Sequence, residues 1–513
     1  MPSELTNIEE KGNVLKIETR NSNLTPPSPQ LTEEQETKLW RKIDRRLMPI
    51  LSLMYLMSFL DRGNIGNARL QGLVTELGLV GNQYNIALPG FKEIPTTNLA
   101  TWNNDPMGNN YVSLIFDVPV LSASSHAQDI RTCMGFVKNY PQLVVCRVLL
   151  GIAEAGLFPG VAYYLTLWYP RHKLQLRIGI FFGSASLAGA FSGLLAFGIS
   201  YMSGTQGLLG WSWIFVRITH ASLRFPLFRI LEGLATVAVG TIAFFVLIDF
   251  PHTAKFLSDE ERAYLLWRKK YDNSSVGEEE SFSVKYIIQA LTDWQVYAHA
   301  LVDMSIMGPL YGITLFLPTI ISNFGYSPAI SNLLTVPPYV LSTIVLYIFA
   351  HFSDKTKKRS PFIYASLIIC LVGYLINITD APHGVKYFGT FLCVTGAYAG
   401  PTGVVAWLGN NLSGQSKRAV GMAVQMGIGN FSGAIISNTY RDVDQPRYII
   451  GHGIELMFVG IGLIVVPIIA TTYYRLNNKK KATVRQEEEQ GVKRTTKEIR
   501  AMGDRAPEFI YTL

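Results

Sequence analysis

The chain has 513 residues, of which 49% are apolar and only 16% are charged, and its formal net charge is +8. A soluble chain of this length would divide into several domains and carry more charge, so the composition favours a membrane protein. The net positive charge does not indicate a nucleic-acid partner, because the basic residues cluster in short loops between apolar segments. The four cysteines have no metal-ligand spacing, and no disulfide framework is predicted.

Apolar stretches of membrane-spanning length recur along the chain and predict an all-α membrane protein with about ten clear transmembrane helices. A polar stretch at about 251–293 divides them and predicts a surface amphipathic helix followed by an acidic loop. Four spans precede this stretch and six follow it. The spans start near Leu47, Leu143, Ile178, Ile230, Val296, Leu333, Phe362, Phe388, Val420 and Ile449.

The charge of the loops predicts the orientation of the spans. The intervening loops at 201–210 and 323–332 carry no charge. Cytosolic loops are enriched in Lys and Arg, so both termini are predicted to lie in the cytosol. The basic segments are 41–46, 170–177, 353–360, 414–418 and 479–481.

Composition and charge divide the chain into five predicted parts. Residues 1–40 are polar and lack the apolar core of a signal peptide, so they predict a disordered cytosolic tail. The other parts are an N-terminal transmembrane half at 41–250, a central cytosolic loop at 251–293, a C-terminal transmembrane half at 294–478 and a cytosolic tail at 479–513.

Charged residues inside the apolar segments are the strongest functional signal. Arg147 and Glu154 are seven residues apart, which places both on one face of a helix with Gly151 between them. A charge near the bilayer centre costs about 2.5–3.5 kcal/mol. A second pair, Asp61 and Arg62, lies late in the first span. Buried charge of this kind indicates a transport pathway, and the alternative is a set of structural salt bridges that lock helices together.

Three segments resemble the major facilitator superfamily and, more narrowly, the fungal anion:cation symporters of the allantoate and nicotinate permease group. The resemblance covers roughly 40–88 and 134–478. The segments are RRLMPILSLMYLMSFLDRGNIGNARL with Asp61 and Arg62, CRVLLGIAEAGLFPG with Arg147, Gly151 and Glu154 to Gly160, and HFSDKTKKRSPF with Asp354 and Arg359.

The resemblance implies two six-helix halves that rock about a central site. A guanidinium fork can bind a carboxylate with two hydrogen bonds, and a carboxyl group in a poorly hydrated cavity can load and release protons near neutral pH. By resemblance, proton coupling is assigned to Asp61 and Glu154, substrate binding to Arg62 and Arg147, and a gating loop to Asp354 and Arg359.

Two segments depart from the family pattern. The family's second and third spans should lie between about 85 and 140, but residues 89–133 are replaced by unrelated sequence rich in Asn, Pro and Thr. The N-terminal half is therefore predicted to be incomplete. Residues 216–229 add three arginines to a loop that the topology places outside the cell. We interpret both as translated intron or mis-joined exon, with a genuine lineage-specific insertion as the alternative.

Several polar and small residues have weaker functional signals. The glycine-rich segment 183–193 predicts a helix–helix contact with a possible hinge role rather than a phosphate loop. No His-Glu-x-x-His or other metal spacing occurs, so neither a metal nor a cofactor is predicted. Late polar residues could contact substrate, although such residues also bridge helices in membranes; they are Asn410, Asn411, Gln425, Asn430 and Asn438.

The sequence therefore predicts a secondary active transporter rather than an enzyme. The expected activity is proton-coupled uptake of a small organic anion across a fungal plasma membrane by a monomer. By resemblance, the candidate substrates are allantoate, ureidosuccinate, nicotinate and other vitamin-like carboxylates. The alternatives are a non-transporting or degraded product of a mis-joined gene model and a membrane sensor.

Overall fold

The computed structural model describes residues 31–88, 133–154, 157–204, 207, 209–215, 247, 251–270, 284–445, 447–491, 494–495, 498–499 and 502–513. The predicted span near Ile230 and the departing segment 216–229 lie outside these residues, as does all of 89–133 except Cys133.

Every regular element in the described ranges is helical. Short 3₁₀ turns occur at Arg171–Lys173, Pro251–Thr253, Asp442–Asp444 and Gly503–Arg505. The α-helices are α1 (Glu33–Leu70), α2 (Leu73–Glu76), α3 (Gln83–Ala87), α4 (Tyr140–Glu154), α5 (Leu157–Trp168), α6 (Leu174–Ser200), α7 (Gly210–Phe215), α8 (Asp259–Lys270), α9 (Val284–Leu291), α10 (Trp294–Ser322), α11 (Pro328–Leu333), α12 (Val336–Thr356), α13 (Ser360–Ile378), α14 (His383–Ala399), α15 (Pro401–Asn411), α16 (Gln415–Ser437) and α17 (Ile449–Glu489).

The predicted spans agree with these helices wherever the structure describes the chain. Within the described residues, seven helical segments are long and apolar enough to cross a membrane. One is α6, and the other six follow residue 293, which is the number predicted for the C-terminal half. The span predicted from Leu47 lies within α1, and the span predicted from Leu143 falls on α4 and α5.

Helix α1 begins earlier than the first predicted span. Thr32 caps the helix, since its hydroxyl accepts from the backbone N–H of Gln35 while the Gln35 side chain accepts from the N–H of Thr32. This reciprocal pair satisfies two backbone donors that a helix start leaves without partners. The predicted tail 1–40 therefore overlaps the first helix by eight residues, from Glu33 to Trp40.

The last residues of the chain fold back onto the C-terminal half. Tyr511 stacks on Tyr473 of α17 with ring centroids 4.8 Å apart, and the backbone N–H of Tyr511 donates to Asn477 Oδ1 at 2.8 Å. Helix α17 itself continues to Glu489, beyond the predicted boundary at 478. The predicted cytosolic tail 479–513 thus contains a helical extension and a packed segment at 502–513, because these residues bury apolar side chains such as Phe509.

Candidate functional site

The predicted halves meet along α6 and α12. Four glycines of α6 leave no room for side chains: a Cβ on Gly179 would lie 2.9 Å from Ala350, and one on Gly189 would lie 2.8 Å from the ring of Tyr339. Gly183 and Gly193 pack closely on α12 or the residues before it in the same way. The helix–helix contact predicted for the glycine-rich segment 183–193 is therefore confirmed.

Aromatic rings from both halves pack against one another. Tyr55 of α1 lies 4.3 Å from Phe181 of α6, measured between ring centroids, and Phe158 of α5 lies 6.0 Å from Phe181. Phe182 brings this cluster within 6.1 Å of Tyr398 on α14. All five side chains are buried, and the Tyr398 hydroxyl lies 2.9 Å from the hydroxyl of Thr314 on α10.

The predicted gating residues are brought together at the end of α12. Arg359 Nη1 lies 2.6 Å from Asp354 Oδ1, and Arg359 is fully buried. Asp354 Oδ2 also accepts from the backbone N–H of Leu176 in the first turn of α6 at 2.8 Å, and Arg359 donates to Gln175 Oε1 at 2.8 Å. The two residues are not on a free loop, because Asp354 lies in the last turn of α12 and Arg359 precedes α13. They join the C-terminal half to the start of α6.

A second ion pair stabilises the same end of the molecule. Arg177 on α6 donates to both carboxylate oxygens of Asp44 on α1, at 3.0 and 2.7 Å, and the hydroxyl of Tyr169 donates to Asp44 at 2.7 Å. Two parallel N–H···O bonds fix the relative position of the two groups. The basic segments that contain Asp44 and Arg177 predict the orientation of the spans but not this ion pair. The sequence feature that indicates this ion pair is the single acidic residue, Asp44, within the basic segment RKIDRR.

Arg147 lies in the middle of α4 and is 6% exposed. Its Nη2 donates to the backbone oxygen of Leu88 at 2.9 Å, and its Nε donates to that of Ala87 at 3.3 Å. Both oxygens belong to the C-terminal end of α3, where a helix leaves carbonyl groups without helical partners and attracts positive charge. This geometry supports a helix-locking contribution of Arg147, the alternative left open by the sequence.

The remaining predicted site residues are placed only by their backbones. Asp61 and Arg62 lie within the continuous helix α1, and Glu154 is the last residue of α4. Arg147 and Glu154 therefore share one helix, as their spacing predicts. The side chains of Asp61, Arg62 and Glu154 lie outside the described part of the structure.

A family model described as the Major Facilitator Superfamily matches residues 130–437. The chain is 32% identical to an MFS-type transporter, cnsO, of Penicillium expansum, with 100% of this chain and 98% of the relative covered. It is also 32% identical to the high-affinity nicotinic acid transporter of Saccharomyces cerevisiae, with 94% of this chain and 86% of the relative covered.

Solved structures show the same fold at low sequence identity. The xylose transporter XylE from E. coli in a partially occluded inward-open conformation gives a TM-score of 0.54 at 14% identity, covering 83% of this chain and 97% of that chain. A bacterial homologue of the human lysosomal transporter Spinster, inward-facing and unoccupied, gives a TM-score of 0.54 at 13% identity, covering 82% of this chain and 95% of that chain.

The chain belongs to the major facilitator superfamily. It is a multi-pass membrane protein with the fold of a transporter, and the relatives that it matches are named as transporters rather than enzymes.

Proposed function

We propose that the chain takes up a small organic anion, driven by protons, across a fungal plasma membrane with both termini in the cytosol. The observation that carries this proposal is Arg147, a permanent cation buried in an apolar helix. A guanidinium group offers five donors in a planar fork and stays charged, so it can bind a carboxylate with two hydrogen bonds. The relative named as a nicotinic acid transporter supports a carboxylate as substrate.

The aromatic cluster supports a substrate with a planar ring. Aromatic pairs with centroids 4.5–7 Å apart contribute about 0.5–1.5 kcal/mol beyond the area that they bury. The rings of Tyr55, Phe158, Phe181, Phe182 and Tyr398 meet where the halves join. A nicotinate-sized carboxylate would stack against such rings while Arg147 or Arg62 attracts its charge.

In this proposal, proton binding is coupled to substrate binding because the charges of the carboxylates, the arginines and the anion must balance. Asp61 and Glu154 each pair with an arginine until a proton neutralises the carboxylate. The freed arginine then binds the anion, so that proton and substrate move together. The halves, assigned to 41–250 and 294–478, rock about the site while the contact between Asp354, Arg359 and the start of α6 breaks and reforms at the cytosolic end.

Uptake of nicotinate and nicotinamide tests the substrate class. The two molecules share a ring and differ only in the carboxylate, so a site that recognises charge should take up nicotinate alone. The chain would be expressed in yeast cells without their own nicotinate uptake, and radiolabelled uptake would be normalised to the amount of protein at the cell surface. Unlabelled allantoate, ureidosuccinate and pantothenate would serve as competitors.

Inhibition of nicotinate uptake by one of these carboxylates, but not by nicotinamide, would identify a carboxylate site. Equal uptake of nicotinate and nicotinamide would contradict recognition of the anion. Normal amounts of surface protein with no uptake of, or competition by, any carboxylate would contradict the proposed substrate class.

A further inference from the structure

Helices α10 and α16 form an extensive contact in the C-terminal half. The two helices run side by side in the same direction, since Val296 packs where Gly421 lacks a side chain and Tyr311 packs where Gly433 lacks one. Residues four apart share one face of a helix. The face of α16 that meets α10 therefore carries a row at intervals of four residues, namely Gly421, Gln425, Gly429 and Gly433.

Asp303 of α10 lies against this row. Its Oδ2 occupies the space into which a Cβ on Gly429 would project, so the glycine makes room for the carboxyl group. Asp303 is fully buried, and neither of its oxygens has a hydrogen-bond partner among the described residues. Because α10 rises 1.5 Å per residue, Asp303 is about 13 Å from the start of the helix at Trp294. The carboxyl group is thus deep in an apolar span.

Two further buried polar side chains, each one turn along its helix from Asp303 or Gly429, have hydrogen-bonding atoms without described partners. Gln425 is fully buried, and neither atom of its amide has a partner in the described structure. His299, one turn before Asp303, bonds through Nε2 to the hydroxyl of Tyr473 at 3.0 Å, while its Nδ1 has no described partner. Buried polar groups are normally paired, so a cluster with this many open positions indicates a place where an ion or a proton binds.

No described charged group compensates Asp303. Asp303 has no opposing charge nearby among the described residues, and on α15 the ring of Trp407 packs beside His299. Several titratable groups of the described residues contact α10 or its N-cap from other helices. They are Lys417 on α16, which pairs with Asp293 and Asp504, Tyr374 on α13, Tyr398 on α14, and Tyr473 and Glu455 on α17. An ionised carboxylate without a partner is costly in such surroundings, and a bound proton removes that cost.

Asp303 differs in its location from Glu455. Glu455 is the other fully buried carboxyl group in this half that has no described hydrogen-bond partner. Glu455 packs against Gly308 and Gly312. Helices α10 and α16, in contrast, also contact α1 and α5 of the N-terminal half. Coupling ions in such transporters bind near the midplane where the two repeats meet. Asp303 lies between two helices that both contact the N-terminal half, whereas Glu455 lies between α10 and α17.

We propose that Asp303 is a coupling-proton site in the C-terminal half, supported by Gln425 and His299, in addition to the carboxylates of the N-terminal half. The proposal rests on the proton-driven uptake proposed above. A proton from the outside converts the Asp303 carboxylate into a neutral acid, which removes the cost of a buried charge without a described partner. The proton leaves to the cytosol after the halves have rocked.

Infrared difference spectroscopy on the purified full-length protein tests proton binding without relying on transport. Spectra would be compared between about pH 5 and pH 8, across the range in which a coupling carboxyl group must exchange its proton. Asp303→Asn should lose a pH-sensitive band of a protonated carboxyl group. Glu455→Gln is the matched control, because it removes an equally buried carboxyl group from the same half and should leave that band in place.

Uptake and exchange of nicotinate test the coupling role. Asn mimics the protonated acid, so Asp303→Asn should lose the rise of uptake with falling external pH and should lose accumulation against a gradient. Exchange of internal for external nicotinate needs no net proton movement and should stay within about twofold of wild type. Glu455→Gln should keep the wild-type pH profile.

The outcomes separate the two proposals. An infrared band unchanged in Asp303→Asn would overturn proton binding at Asp303. A lost band with an unchanged pH profile of uptake would overturn its role in coupling. If wild-type uptake itself does not respond to pH, the proposed function fails, and the coupling role of Asp303 fails with it, while the infrared band still decides whether Asp303 binds a proton.

Discussion

Arg147 is the residue on which the two interpretations of the buried charge differ. Its guanidinium donates to the backbone oxygens of Ala87 and Leu88 and thereby joins α4 to the end of α3. A substrate-binding residue and a helix-locking residue would both be buried here. They differ in what their replacement changes, because a lost substrate contact lowers uptake and a lost helix contact lowers stability.

Replacing Arg147 with Lys keeps the charge but removes the planar fork, so we expect uptake to fall about tenfold or more. Uptake and thermal unfolding would both be measured. Arg45→Lys, at an exposed position on α1, is the control and should behave as wild type. Reduced uptake with an unchanged unfolding temperature would support substrate binding. A lower unfolding temperature would indicate a structural role, and wild-type behaviour in both measurements would remove Arg147 from the site.

Glu36 gives a pH-dependent test of the structure outside the membrane. Burial alone raises the pKa of Glu36, but hydrogen bonds from Lys173 and Trp40 outweigh it and lower the pKa from 4.5 to about 2. A carboxyl group whose pKa is lowered by folding stabilises the folded state above its unfolded pKa. This stabilisation is lost as the pH falls from about 4.5 towards 2.

Glu36→Gln should therefore reduce the free energy of unfolding by about 1 kcal/mol or less near neutral pH, since Lys173 is partly exposed and solvent screens the pair. The difference from wild type should shrink as the pH falls below about 4.5, which thermal unfolding at several pH values would detect. A difference that stays constant down to the lowest pH would contradict the ion pair between Glu36 and Lys173.

At the scale of elements, the contact between α12 and the first turn of α6 is the part of the structure best suited to act as a gate. Asp354 accepts from the backbone of Leu176 and pairs with Arg359, which is fully buried. Removing the charge of Asp354 breaks its ion pair with the buried Arg359, and breaking a buried pair by changing one partner is strongly unfavourable. The gate should then open more often.

Asp354→Asn should increase the rate at which a cysteine at position 174 reacts with a thiol reagent from the cytosolic side, in a background without the exposed Cys133. Leu174 is 2% exposed at the start of α6, so its reactivity reports opening. Asp380→Asn is the control, because Asp380 pairs with Arg447 in an exposed position elsewhere. Equal reaction rates for Asp354→Asn and wild type would contradict the gate.

The C-terminal segment is a second element that stabilises this half. Lys417 of α16 is buried between Asp293 and Asp504, with both carboxylates 2.6 Å from its ammonium nitrogen. Lys417→Met should lower the free energy of unfolding by about 3–5 kcal/mol, because it leaves two buried carboxylates without a cation. Lys38→Met, which removes an exposed pair with Glu34, should change it by less than about 1 kcal/mol. Similar unfolding temperatures for the two variants would show that the segment does not pack as described.

The sequence predicted those elements whose signal is local. Apolar runs such as those of α6 and α10 are long enough to identify spans without any tertiary contact. The packing of the C-terminal tail, in contrast, depends on contacts between residues that are far apart in the sequence. Lys480 looks like part of a solvated basic run, yet its ammonium group donates to the backbone oxygens of Asp504 and Phe509 at 2.6 and 2.9 Å. Composition cannot indicate such long-range partners.

The same limit applies to the site. Arg147 and the Asp354–Arg359 pair stood out because their residue patterns resemble a family motif. Asp303 did not, because a single carboxyl group in an apolar run has no pattern. Its packing on Gly429 shows that it is buried, and neither of its oxygens has a hydrogen-bond partner among the described residues. The partners of Arg147 also depended on α3, a short helix whose end could not be located from the sequence.

At the scale of the whole molecule, we expect the two halves to transport an anion together with a proton. Purified protein in liposomes isolates this coupling from cellular metabolism. An inward proton gradient should drive radiolabelled nicotinate above its external concentration and should alkalinise the external medium as nicotinate enters. A protonophore should abolish accumulation while leaving exchange intact.

Accumulation of nicotinate driven by an inward proton gradient is therefore the most direct test of the central claim. We expect accumulation that requires the gradient and collapses when the gradient is dissipated. Nicotinate entry to the same level with and without the gradient, and with no proton movement, would contradict proton-coupled transport.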